Sequence, residues 1–95
     1  MRLKDLCEVK TNMSNADFWI TRRGDKKSVG KPTKDFNAEN IGIKVTSTNL
    51  INPNYLFYMM MYMYNAGMWR EKSNGTLSLV NIKIEDVKSI QLEAI

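Results

Sequence analysis

Positive charge concentrates in one stretch of this chain, TRRGDKKSVGKPTK at residues 21–34, which we call the basic loop. Six of its fourteen residues are Lys or Arg and one is acidic. Lysine and arginine neutralise phosphates, and arginine can also read guanine edges in the major groove of DNA. The segment therefore predicts a nucleic-acid contact, with a purely solvated loop as the alternative. The predicted contacts are Arg22, Arg23, Lys26, Lys27, Lys31 and Lys34, joined by Lys44 on a neighbouring strand.

Catalytic chemistry finds few suitable residues in the sequence. The chain contains no His, which excludes a His-based nucleophile relay and any zinc site that needs imidazole. Asp17, Glu39 and Lys44 could be assembled into a metal-dependent nuclease centre, but no spacing requires it. Cys7 is expected to be a small buried apolar residue in a strand and not a nucleophile. The sequence thus predicts a protein that is not an enzyme, with no catalytic residue, metal or cofactor.

Size and composition predict a single domain over residues 1–95. The chain is 43% hydrophobic and 25% charged, with a net charge of +4, which is ordinary for a folded domain and mildly favours an anionic partner. Its single cysteine suits a reducing cytoplasm. The most apolar window, residues 55–64, is half the length of about 20 residues that spanning a bilayer requires. A cytoplasmic protein without a membrane partner is expected.

The basic loop must be held by strands on either side of it. Aromatic and β-branched residues make DFWITRR at 17–23 a predicted strand. IGIKVTS at 41–47 alternates apolar and polar residues, as in a sheet with one buried face. A third strand is predicted through Val80, Ile82 and Ile84, ending in a turn at Glu85-Asp86. The expected fold is α+β, with a small twisted, mainly antiparallel sheet and one long helix packed on it.

The long helix is predicted over residues 53–73. Asn52 can cap it, Pro53 suits its first position, and Asn74-Gly75 offers a left-handed stop. Residues 55–64 lack a polar face, so at 100° per residue three apolar stripes run along the helix. We expect the stripe that tolerates water best to lie half exposed, either as the edge of the core or as a contact with another chain. That stripe contains Tyr55, Tyr58, Tyr62 and Trp69.

Several short motifs occur in a fixed order along the chain: the opening MRLKDLCEVKT, Asn52-Pro53, Tyr55-Leu56 with Tyr58, Gly75-Thr76, and the segment NIKIEDVKSIQL at 81–92. Together they resemble the target recognition domains of type I restriction-modification specificity subunits, over a little over half of the chain. The resemblance implies duplex DNA as the ligand. Because such domains are normally longer and paired, it also implies a truncated, free-standing version of the kind that a bacteriophage or mobile element encodes.

Two functions follow as hypotheses. The first is a non-catalytic DNA-binding domain that contacts duplex DNA through the basic loop, with Thr76 at the helix exit as an additional contact. The second is a phage-type interaction module that binds or blocks a host defence or replication complex through the helix at 53–73. A homodimer is compatible with both, since two copies of a small chain would read a two-part site symmetrically.

Overall fold

Runs of short strands lie between helices in the computed structural model, which describes residues 1–69, 74–75 and 80–92. This is the α+β fold that the sequence predicts. In chain order the described elements are α1 (Leu3–Leu6), β1 (Cys7–Thr11), β2 (Phe18–Ile20), β3 (Arg23–Gly24), β4 (Pro32–Thr33), β5 (Ile41–Val45), α2 (Pro53–Asn65), β6 (Asn74–Gly75), β7 (Val80–Asn81) and α3 (Ile84–Lys88).

The main sheet has the strand order β1-β5-β2-β4, and all its pairings are antiparallel. The register places Phe18 opposite Ile43 and Ile20 opposite Ile41. These four side chains lie on the same face and are fully buried. The alternation of residues 41–45 predicts one buried apolar face, and that face of β5 lines the core.

The opposite face of the sheet is partly covered, which the sequence did not lead us to expect. Trp19 is buried there, and its indole N–H donates a hydrogen bond of 2.8 Å to the carbonyl of Met13. Gly42 permits this packing, because a Cβ at that position would lie 2.9 Å from the Cβ of Met13. The segment before β2 thus folds back over the sheet, so β2 is buried on both faces instead of alternating.

Helix α2 begins where its capping signal predicts. The Asn52 side chain accepts hydrogen bonds from the backbone N–H groups of Asn54 and Tyr55, at 2.8 and 3.4 Å. Leu56 and Met60 are fully buried in the core, and the ring of Phe57 packs edge-on against Phe18 at 5.4 Å. Among the described residues, no helix is long and apolar enough to cross a membrane.

The predicted end of this helix is wrong by eight residues. Helix α2 ends at Asn65, Ala66 is its C-cap, and Gly67 follows with φ of +82°. Gly67 is a left-handed stop of the common kind, which the sequence analysis passed over in favour of Asn74-Gly75. That pair instead forms β6. Arg70 and Lys72, which were expected in the last turns, lie outside the described residues.

The C-terminal segment also departs from the prediction. Strand β7 is confined to Val80–Asn81, and Ile84 begins helix α3 in place of a continuing strand and turn. The Asp86 carboxylate accepts a hydrogen bond of 3.4 Å from the backbone of Lys83, which favours a helical turn there. Backbone bonds from Leu3 to Ile90 (2.9 Å) and from Leu92 to Met1 (2.8 Å) then join the two ends of the fold.

A second, smaller sheet connects this C-terminal segment to the basic loop. Its strand order is β3-β7-β6, with Arg23 opposite Asn81 and Gly24 opposite Val80. The loop therefore shares backbone hydrogen bonding with a segment almost sixty residues later in the chain.

Replacing Asn52 by Ala should lower the free energy of unfolding by about 1 kcal/mol, because two helical N–H groups lose their acceptor. Urea denaturation followed by circular dichroism measures this change. Asn49→Ala is the matched control, since Asn49 is exposed and its side chain has no hydrogen bond to a described residue; it should change stability by less than about 0.5 kcal/mol. Equal effects of the two substitutions would contradict the capping role.

Candidate nucleic-acid interface

The basic loop connects two antiparallel strands and is fastened at its base. Strand β2 pairs with β4 through Trp19 opposite Thr33 and Ile20 opposite Pro32. Just beyond the strands, the backbone N–H of Thr21 donates to the carbonyl of Lys31 at 3.0 Å, and the N–H of Gly30 donates to the carbonyl of Thr21 at 2.8 Å. The loop is thus a long hairpin connection whose two ends are fixed relative to each other.

The single acidic residue of the loop stabilises a tight turn. The Asp25 carboxylate accepts hydrogen bonds from the backbone N–H groups of Lys27 and Ser28, both at 2.9 Å. Hydrogen bonds from the Ser28 side chain and the Lys27 backbone lower the pKa of Asp25 below its ordinary value. An ionised carboxylate therefore lies against the backbone of the turn, a common use of aspartate in loops.

The far side of the loop packs against the end of helix α2 and the residues that follow it. Val29 is fully buried, and Gly30 lies so close to Trp69 that a Cβ there would be 2.0 Å from the indole Cδ1. Gly30 also has φ of +85°, which disfavours any side chain. The Tyr64 hydroxyl donates a hydrogen bond to the carbonyl of Lys27. A basic segment with two glycines is ordinarily flexible, whereas this loop is anchored at several points.

Five of the seven predicted contact residues are exposed cations of this anchored loop, and four of them have no side-chain hydrogen bond to a described residue: Arg23, Lys26, Lys27 and Lys31. None of them forms an ion pair with a residue in the described ranges. Because Asp25 is directed at the backbone, it does not offset their charge through direct pairing. The loop therefore presents a local excess of positive charge to solvent.

Lys34 and Lys44 are placed differently from these four residues. The Lys34 Nζ lies 3.2 Å from the Asn54 Oδ1 and 4.6 Å from the centre of the Phe57 ring, so this exposed lysine bridges the loop and helix α2. Lys44 pairs with Asp17 at 3.3 Å. Ile41 pairs with Ile20, the last residue of β2 before the loop. Lys44 lies three residues further along β5, which is about 10 Å from Ile41. Lys44 is thus not brought together with the loop.

Arg22 is used at the base of the loop. Its backbone N–H donates to the Asn40 side chain at 3.3 Å, and its carbonyl accepts from the backbone of Ile82 at 3.0 Å. The side-chain Nε is buried without a hydrogen-bond partner among the residues that the structure describes. Arg22 therefore positions the loop through its backbone and is only half exposed. Thr76, the additional predicted contact, lies outside the described residues.

The tyrosine stripe of α2 is exposed as predicted, with one exception. Tyr55, Tyr58 and Tyr62 are 51%, 69% and 73% exposed, whereas Trp69 is only 1% exposed. The prediction for Trp69 assumed that the helix continues, which would place it about two turns beyond Tyr62 on the same side. Because α2 stops at Asn65, Trp69 instead lies beneath the loop at Gly30. We call Tyr55, Tyr58 and Tyr62 the tyrosine face.

The residues considered for catalysis are either held in structural contacts or exposed at the surface. The second Asp17 carboxylate oxygen accepts a hydrogen bond of 2.8 Å from the backbone of Val45, so Asp17 joins the loop before β2 to β5. Glu39 is exposed. Within the described part of the chain, no three metal-ligating side chains cluster. Cys7 is buried in β1, as expected, and burial followed by the nearby Asp17 charge raises its pKa to about 12.

Comparison of the chain with protein-family models, with curated proteins and with solved structures gives no match. The resemblance to specificity-subunit recognition domains therefore stays a prediction.

The residues that anchor the loop were not predicted from the sequence. At Gly30 the only indication in the sequence was the residue type itself. Asp25 and Ser28 have the spacing of a turn that is capped by an aspartate side chain. Tyr64 and Trp69 carried no local signal, because their role depends on a partner more than thirty residues away.

Substituting Ala for Gly30 should destabilise the protein by about 2–4 kcal/mol, because overpacking against Trp69 adds to the strain of a side chain at positive φ. Thermal and urea unfolding measure the loss. A double variant that also carries Trp69→Leu tests the contact, since a smaller side chain relieves the overlap. The double variant should lose less stability than the sum of the two single variants; simple additivity would contradict a direct Gly30–Trp69 contact.

The Cys7 thiol should react slowly with an exposed-thiol reagent at pH 8 and rapidly after unfolding, since only the thiolate attacks. The sign of the pH dependence follows from the raised pKa. The unfolded thiol ionises near its ordinary pKa of 9.0 and the folded one near 12, so stability contributed by this group is present below pH 9 and is lost as pH rises toward 12. Equal reaction rates in the folded and unfolded protein would contradict the burial of Cys7.

Proposed function

We propose that the protein is a non-catalytic DNA-binding domain that contacts the backbone of duplex DNA through the basic loop. The observation that carries this proposal is the set of four exposed cations, Arg23, Lys26, Lys27 and Lys31, which have no ion-pair partner in the described ranges. Each cation that neutralises a phosphate releases condensed counterions, and this release drives much of protein–DNA binding.

The anchoring of the loop supports the proposal, because a fixed backbone reduces the ordering cost of binding. The Asp25-capped turn and the contacts of Gly30 with Trp69 hold the backbone of the loop in one arrangement. Only the side chains of the lysines then need to lose freedom when phosphates bind. A loop without other contacts would require its whole backbone to become ordered as well.

Arg23 differs from the lysines in what it could read. Its backbone pairs with Asn81 in the small sheet, so its guanidinium group extends from a fixed base. Guanidinium can donate two parallel hydrogen bonds to a guanine edge, whereas lysines act mainly as point charges on phosphates. We assign Arg23 to base recognition and the three lysines to positioning on the backbone.

The resemblance to specificity-subunit recognition domains supports the same ligand class, because those domains read duplex DNA. It also favours a paired arrangement, for which a homodimer is the simplest form in a chain of this size. The resemblance extends this proposal to a restriction-modification-like protein of phage type that acts in the cytoplasm.

The exposure of the tyrosine face favours a second candidate, a module that binds a host protein through α2. Exposed aromatic rings are common at protein interfaces, and Trp69 no longer belongs to this surface because it is buried. This candidate predicts that Tyr58→Ala/Tyr62→Ala abolishes capture of a protein partner while the affinity for duplex DNA is unchanged.

Fluorescence anisotropy with a labelled random duplex tests the DNA-binding proposal. We expect binding at low salt that weakens steeply as salt rises. Lys26→Gln/Lys27→Gln should weaken binding roughly tenfold and reduce the slope of log K against log salt by about 2, or one unit per lost phosphate contact.

The matched control is Lys4→Gln/Lys10→Gln, which removes the same charge from α1 and from β1. Strand β1 lies at the edge of the main sheet opposite β4 and the basic loop, so this variant should retain near-normal affinity. Equal losses for both variants would indicate a response to net charge alone. Absence of binding at low salt would overturn the proposal.

A further inference from the structure

Helix α2 has a solvent-facing surface with an unusual composition. Residues 53–65 contain no charged side chain, and the exposed part is dominated by the three rings of the tyrosine face. A helix surface in contact with water normally carries charges. Flat, uncharged and accessible rings are instead suited to stacking on another planar group.

The basic loop lies alongside this helix, and two contacts fix their relative positions. Lys34 from the loop reaches Asn54 and the Phe57 ring near the start of α2. Tyr64 near its end donates a hydrogen bond to the carbonyl of Lys27. Phe57 and Tyr64 are seven residues apart and thus share one side of the helix. The loop therefore runs along that side over nearly two helical turns.

The tyrosine face begins next to the side that the loop occupies. Tyr58 follows Phe57 directly, and the two rings pack edge-on at 5.4 Å. Tyr62 is one turn further along the same face, with a rise of about 6 Å between the two residues. Two rings at this spacing can each take a separate planar group, and Lys34, which contacts the neighbouring Phe57 ring, borders this surface at Tyr58.

Since the proposal above places phosphates on the basic loop, we propose that the tyrosine face stacks on unpaired bases of the same nucleic acid. The protein would then bind DNA that carries a single-stranded segment more tightly than fully paired DNA. This inference rests on the proposed function, because it requires the loop to hold the backbone. Positive charge that follows a strand, together with aromatic rings on which its bases stack, is how single strands are bound without sequence preference.

The neighbouring charges favour nucleic acid over a protein as the occupant of the tyrosine face. A strand whose bases contact Tyr58 and Tyr62 would cross the edge of this face beside Tyr58, where the Lys34 ammonium group contacts the neighbouring Phe57 ring and is available to a phosphate. The helix itself offers no charge to pair with a charged protein surface. A nucleic acid fits both surfaces, because its uncharged bases suit the tyrosine face and its charged phosphates suit the basic loop.

The test compares three labelled ligands by fluorescence anisotropy at two salt concentrations. They are a fully paired duplex, the same duplex with a single-stranded thymidine extension, and that duplex with an extension of abasic residues. We expect the thymidine extension to raise the affinity by at least about fivefold, since stacking adds affinity for each base. The abasic extension adds the same phosphates without bases and should give only a small gain, which tests stacking without altering the protein.

Two protein variants separate stacking from other roles of the tyrosines. Tyr58→Ala/Tyr62→Ala should lose the gain from thymidines while retaining the affinity for the paired duplex. Tyr58→Phe/Tyr62→Phe should keep the gain, because it preserves both rings. Phe36→Ala is the aromatic control, since Phe36 is 50% exposed and packs against Trp19 on the other face of the main sheet. That control should leave the gain unchanged.

Equal affinity for the paired and extended duplexes, with the lysine variants still defective, would overturn this inference and leave the DNA-binding proposal intact. Equal gains from thymidine and abasic extensions would overturn it as well, because phosphates alone would explain them. If Tyr58→Ala/Tyr62→Ala converts a dimer to a monomer in light scattering and leaves the gain unchanged, the tyrosine face contacts a second copy and the inference is wrong. Absence of binding to all three ligands would overturn both proposals.

Discussion

The indole ring of Trp69 lies directly against the backbone of Gly30, and the shape of the basic loop depends on this contact. It requires a residue without Cβ at position 30 and a backbone at positive φ. It also requires helix α2 to end at Asn65, because a continuing helix would carry Trp69 to the tyrosine side. The buried Val29 and the hydrogen bond from Tyr64 to Lys27 extend the contact along the loop. The loop is mostly polar and has few apolar side chains to bury. Packing of the large Trp69 ring against its backbone therefore supplies much of the contact that holds the loop in place.

Holding several like charges on one loop costs electrostatic energy, and the structure offsets this cost locally. The Asp25 carboxylate lies within the turn and accepts two backbone N–H groups, so it stabilises the turn without pairing with a lysine side chain. The exposed side chains of Lys26 and Lys27 extend into water, where their mutual repulsion is weakened by salt. Packing and hydrogen bonds fix the backbone of the loop, and neither uses the lysine ammonium groups. The cations therefore stay available to an anionic ligand.

The parts of the fold that could be predicted from the sequence are those with local causes. The buried face of β5 and the Asn52-Pro53 start of α2 depend on residues adjacent in the chain, and both are confirmed. The end of α2 at Asn65 also had a local signal in Gly67, which was overlooked. Burial of Trp69 and the cover of Trp19 over Gly42 depend on segments that meet only in the folded chain. Helix α3 is an intermediate case. The Asp86 carboxylate accepts a hydrogen bond from the backbone of Lys83, as the Asp5 carboxylate does from the backbone of Arg2 at the start of α1. This local signal for a helix start was present in the sequence but was interpreted as a turn. The candidate site divides in the same way, since the exposed cations were evident in the sequence and their anchors were not.

Lys34 connects the two surfaces to which we assign functions, and the weakness of its contacts is relevant to both. A cation over an aromatic ring at an exposed site contributes only about 0.5–1 kcal/mol, and its hydrogen bond to Asn54 is also exposed to solvent. A phosphate is a stronger partner for an ammonium group than a neutral amide is, because the bond is charge-assisted on both sides. Lys34 can therefore exchange Asn54 for a phosphate at little cost. The basic loop and the tyrosine face would then act on one continuous ligand, with Lys34 at their boundary.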